Sequence, residues 1–103
     1  MNALDDETRF AFSRLLKEAR EKRGWNGELL AEKADEALSE AISNGHPVSA
    51  AELEVWRSLE ISSQAVYAFE RFPAYPLQTV ARRGRLLGIV LALGLDPAEV
   101  RWI

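Results

Sequence analysis

The sequence predicts an all-α, compact bundle of five to six helices, and three observations carry that expectation. Apolar residues recur at spacings of three and four, several segments open on a residue able to cap free N–H groups, and no segment shows the strict alternation of a strand. At 103 residues the chain is expected to form a single helical domain, 1–103, because two cores drawn from so short a chain would each be too small to offset chain entropy.

The first helix starts at Asp5 or Asp6, short acidic residues suited to capping, and runs to Gly24, with Phe12, Leu16 and Ala19 on one face. Asn26 caps the second, where Leu30, Ala34, Ala37, Ala41 and Ile42 keep helical spacing until Asn44, Gly45 and Pro47 end it. The third carries the clearest local signal. Ser49 and Glu52 have capping-box spacing, Val48 and Leu53 are placed to staple across it, and Leu53, Trp56 and Leu59 form the core face. Ser62 or Ser63 caps a short fourth helix bearing Val66, Phe69 and Phe72, and Pro73 and Pro76 stop it. A fifth runs from about Leu77 to Leu93 and ends at Gly94, after which Asp96, Pro97 and Glu99 open a last turn.

Composition narrows the function classes. The chain has no cysteine, which removes disulfides and thiolate metal sites and fits a reducing compartment, so the cytoplasm is the default location. Residues 1–9 are acidic and lack the basic and apolar parts of a secretory signal. The longest apolar stretch, Leu86 to Leu95, is about half of what spans a bilayer, so it reads as a buried helix and no membrane partner is expected. The net charge of -3 is unevenly spread. Arg9, Arg14, Lys17, Arg20, Lys22 and Arg23 make residues 9–23 basic; residues 26–60 are dominated by glutamate and aspartate; Arg82, Arg83 and Arg85 turn the chain basic again.

Catalysis needs convergent titratable groups, and the sequence offers few, so neither an enzyme nor a cofactor is expected. His46, the sole histidine, sits between Gly45 and Pro47 and reads as an exposed turn residue. Asp35, Glu36 and Glu40 lack EF-hand spacing and read as a solvated face. Gly84 and Gly88 have GxxxG spacing without a phosphate loop, which points to close helix packing. Trp56 lies in line with core residues, whereas Trp102 is the tryptophan best placed for exposure or a subunit contact.

Leu15 to Ala34, LLKEAREKRGWNGELLAEKA, resembles the opening of the Cro/phage-repressor (XRE) helix-turn-helix family: a basic helix, a glycine and aromatic residue, then a capped helix with a Leu30–Ala31 pair. Leu91 to Val100, LALGLDPAEV, is similar to that family's closing helix and turn. The resemblance implies a helix-turn-helix-like core within the bundle. The tight turn that the family places after its second helix is absent, and ADEALSEAISNGHP follows as an insertion of about one helical segment.

Three registers for a reading helix are open. VSAAELEVW would present Ala50, Ala51 and Val55 beside Glu52 and Glu54, a poor match to a phosphate-lined groove. ISSQAVYAFER fits the family pattern better, with Val66 and Phe69 inward, Glu70 at the acidic position and Ser63, Gln64, Tyr67 and Ala68 outward; Ser49 to Leu59 would then be the first helix of the motif. In that register Gln64 can hydrogen-bond adenine, and Arg71, Arg82, Arg83 and Arg85 can hold phosphates. The third places Gln78, Arg82, Arg83 and Arg85 on a reading helix at Leu77 to Leu86. The second is preferred to the third. The resemblance implies a small regulator that binds double-stranded DNA, as a homodimer because one short helix reads few base pairs. The alternative is a protein-interaction module that kept the fold and lost DNA binding, with its acidic belt from Glu28 to Glu60 and Tyr67, Phe72, Tyr75 and Trp102 suited to a basic protein partner.

Overall fold

The computed structural model describes residues 6–45, 49–71 and 80–95, with side chains from residue 11 onward. These residues form five α-helices and no strand: α1 (Asp6–Lys22), α2 (Gly27–Ser43), α3 (Ala50–Arg57), α4 (Ser63–Arg71) and α5 (Val80–Ala92). The expectations placed on His46, Pro47, Val48, Phe72, Pro73, Tyr75, Pro76, Leu77, Gln78, Asp96, Pro97, Glu99 and Trp102 lie outside the described residues.

The helix boundaries follow the capping chemistry. Asn26 is extended, and its side chain accepts the Leu29 N–H at 2.8 Å, supplying one of the partners that a helix start lacks. Ser49 and Glu52 close the reciprocal capping box expected of them. At α4 the cap is Ser62, whose Oγ accepts the Ala65 N–H at 3.3 Å. Gly24 and Gly94 both take φ of +71°, which lets the Trp25 N–H return to the Arg20 carbonyl and the Leu95 N–H to the Val90 carbonyl, closing the last turns of α1 and α5.

The core is centred on α2 and α5. α2 contributes Leu30, Ala31, Ala34 and Leu38, while α5 is buried without a break from Leu86 to Val90, so it is covered on all sides and not along one stripe. The small residues expected to permit close packing do so. A Cβ on Gly88 would stand 2.8 Å from the Ala34 carbonyl oxygen of α2, and one on Gly84 would stand 2.7 Å from the Trp56 indole nitrogen of α3. That indole N–H donates to the Val80 carbonyl at 3.0 Å, fastening α3 to the first turn of α5.

Around this pair, α3 lies on α5 and α2, and α4 on α2 and α1. α3 and α4 each make their main contacts with other helices, and the tryptophan of α3 seats on the glycine of α5. The helix standing against α4 is α2. No helix among the described residues is long and apolar enough to cross a membrane.

Candidate nucleic-acid interface

α4 has two unlike sides. Val66 and Phe69 are buried, and Glu70, one turn beyond Val66, also turns inward with its side chain only 6% exposed. A carboxylate at that depth requires a cation, and Arg20 supplies it from α1: Nε and Nη2 donate to the two carboxylate oxygens at 2.7 and 3.0 Å. Nη1 of the same guanidinium donates to the Trp25 carbonyl at 2.9 Å, and its plane lies over the Tyr67 ring, 5.4 Å from the centroid. The hydrogen bond to Glu70 raises the pKa of Arg20 against the opposing effect of burial, so the guanidinium stays charged.

Two further contacts hold the helix. The buried Ser13 hydroxyl donates to the Phe69 carbonyl at 2.8 Å, and the Gly27 N–H donates to the Tyr67 hydroxyl oxygen at 3.0 Å. Gly27 is needed there, because a Cβ would collide with the edge and hydroxyl of the Tyr67 ring. Tyr67, expected to face outward, is therefore half-buried at the meeting of α1, α2 and α4. It acts as packing and as a hydrogen-bond acceptor.

The outward side of α4 carries Gln64, Ala68 and Arg71 at i, i+4 and i+7, one continuous strip in which Gln64 and Arg71 are exposed and Ala68 is half-exposed. Ser63 sits half-buried at the edge, in the first turn. The strip holds no acidic side chain.

Two of the α5 arginines are engaged by α3 and the segment after it. Arg83 Nη2 reaches Glu52 Oε2 of α3 at 3.4 Å, and Arg85 Nε donates to the Glu60 carbonyl at 3.2 Å. Arg82 is half-buried, and Arg71 and Arg82 each interact with other groups of the chain. Glu52 is held below its usual carboxylate range first by the Ser49 N–H, then by the Ser49 hydroxyl and by Arg83. Of the seven residues singled out from the sequence, Gln64 and Arg71 are exposed on α4 and Ser63 lies half-buried at its edge; Tyr67 turns inward, and Arg82, Arg83 and Arg85 occupy α5.

Two residues carry structural duties that sequence reasoning missed. Asp35 accepts the Ile61 N–H at 3.1 Å, anchoring the connection that leads into α4, and burial raises its pKa. Arg23 donates to the Leu93 carbonyl at 2.6 Å, placing a cation at the carbonyl end of α5. Among the described residues no group of three or more His, Cys, Asp or Glu side chains could hold a metal ion. No protein-family model, curated protein or solved structure matches the chain.

Proposed function

We propose that the chain is a small DNA-binding regulator of helix-turn-helix type that reads duplex DNA with α4. The observation that carries this reading is the division of α4: its inner side is bound to α1 and α2 by polar contacts, and its outer strip is Gln64, Ala68 and Arg71. A helix held from behind presents its outer side chains in one orientation, which base readout requires. Gln64 has the two-headed amide that matches the N6 and N7 edge of adenine, Ala68 is small enough for close approach to the groove, and Arg71 supplies a phosphate contact. The family-like opening segment LLKEAREKRGWNGELLAEKA and the preferred reading register ISSQAVYAFER are joined by Arg20–Glu70 and by Tyr67–Gly27. A dimer would supply two such helices to a symmetric site. The activity is binding, with no catalytic step and no cofactor.

A second reading, a protein-interaction module that kept the fold, is favoured by the engagement of Arg83 and Arg85 with the acidic α3 and the segment after it. Titration of a labelled random duplex pool, followed by fluorescence anisotropy at low and then near-physiological salt, separates the two. Salt-sensitive binding that enriches one sequence, with Gln64→Ala altering the preference, supports the regulator. No binding even at low salt rejects it and directs attention to protein partners of the acidic surface.

A further inference from the structure

The basic first helix has more cations than its packing uses. Arg20 is committed to Glu70, and Arg23 to the Leu93 carbonyl and the face of Trp25, whose centroid lies 5.2 Å from the guanidinium carbon. Arg14 and Lys17 are exposed, and neither is joined to a carboxylate among the described residues, although Glu18 and Glu21 lie one turn on. The location of this pair follows from the residues around it. Ser13 and Arg20, both buried, touch the last turn of α4 at Phe69 and Glu70. Lys17 is four residues after the first and three before the second, so it shares their side of α1 and emerges at the rim of the seam between α1 and α4. Arg14 stands next to it on the exposed side, and Arg71 closes α4 at the same end.

We infer that Arg14 and Lys17 hold backbone phosphates of the same duplex whose bases α4 reads. The inference rests on the proposed DNA reading and adds to it the surface that supplies affinity without sequence preference. Two flexible cations flanking a helix that ends in Arg71 match the charge of a phosphate backbone running alongside the groove that receives the helix. Their acidic neighbours set a limit on the field, so the contribution comes from direct contact and is additive to that of Arg71.

The test is the salt dependence of duplex binding by the full chain, comparing wild type, Arg14→Ala with Lys17→Ala, and Gln64→Ala. Each phosphate contact contributes a log–log slope of roughly 0.9, so the double variant should bind with a slope smaller by about two. Between about 50 and 200 mM salt the wild type should then lose about tenfold more affinity than the double variant. The loss should be equal for all sequences, with the thermal midpoint unchanged. Gln64→Ala should change the sequence preference and leave the slope alone. A wild-type slope in the double variant overturns this inference while leaving the DNA reading intact. No binding by the wild type overturns both.

Discussion

The two sides of the molecule are fastened by different means. Where α4 meets α1 and α2, the joints are polar and directional: a buried two-pronged ion pair, a serine hydroxyl on a helix carbonyl, and a tyrosine oxygen on the first N–H of α2. Where α3 meets α5, the joint is mainly one of shape, an indole lying on Gly84 and held by one hydrogen bond to the Val80 carbonyl, and its ion pair is open to water, with 41% and 29% of the Arg83 and Glu52 side chains exposed. Shape brings helices close yet leaves them able to roll. Fixed donors and acceptors set their rotation as well, because each bond is strong over a narrow range of angles. The larger number of directional bonds is found where the candidate reading strip is, and α3, which carries no such strip, is held by packing and the single Trp56–Val80 bond.

The largest break in this comparison should come from Arg20→Ala, which leaves Glu70 charged, buried and alone. Loss of one member of a buried pair costs about 3 to 5 kcal/mol, to be measured by urea unfolding. Replacing both residues, Arg20→Met with Glu70→Leu, should return most of that stability while weakening any sequence preference, since the helix would keep its packing and lose its rotational register. A single change costing under about 1 kcal/mol would show that the ion pair is not the fastening described here.

On the other fastening, Gly88→Ala places a methyl 2.8 Å from the Ala34 carbonyl oxygen, a backbone atom that cannot turn aside. Overpacking of this kind costs about 1 to 3 kcal/mol. Gly84→Ala should cost less, because its neighbours are the Trp56 and Leu59 side chains, which can shift. Equal losses at the two glycines would mean that α2 gives way as readily as α3. A smaller effect, about 1 kcal/mol, is expected for Ser49→Ala, which removes the cap of α3 on the exposed side of the same region.

Much of this was legible in the chain. The caps at Asn26 and Ser49 and the glycine ends at Gly24 and Gly94 are local chemistry, so they are found where the residues say, and the GxxxG spacing of Gly84 and Gly88 signals close approach. Which helix approaches is a tertiary matter that spacing does not encode: Gly84 receives Trp56 of α3, and Gly88 the Ala34 carbonyl of α2. The Arg20–Glu70 pair did leave a trace. Arg20 follows the buried Leu16 by four residues, and Glu70 follows Val66 by four, so each charge sits at an inward position. Tyr67 left less, because a residue on the flank of a helix is turned in or out by what stands opposite, and here that is Gly27, the one residue type that leaves room for the ring.

The smallest expected effect lies at the junction of the two regions, where Asp35 of α2 accepts the Ile61 N–H between α3 and α4. Burial raises its pKa above the ordinary 3.8, the Ile61 N–H opposes that rise, and nearby Glu60 adds to it. The folded protein then holds this proton more tightly than the unfolded chain, so the contribution of Asp35 to stability falls as pH rises from about the ordinary value through the raised one. Asp35→Asn keeps an oxygen for the Ile61 N–H and cannot ionise. In unfolding curves collected across that window, the asparagine variant should lack this fall and be at least as stable as wild type near neutral pH. Asp35→Ala should be about 1 kcal/mol less stable than Asp35→Asn at every pH, because the amide loses its acceptor. If alanine and asparagine behave alike, the bond to Ile61 does not hold the two regions together, and the placement of α4 rests on α1 and the start of α2 alone.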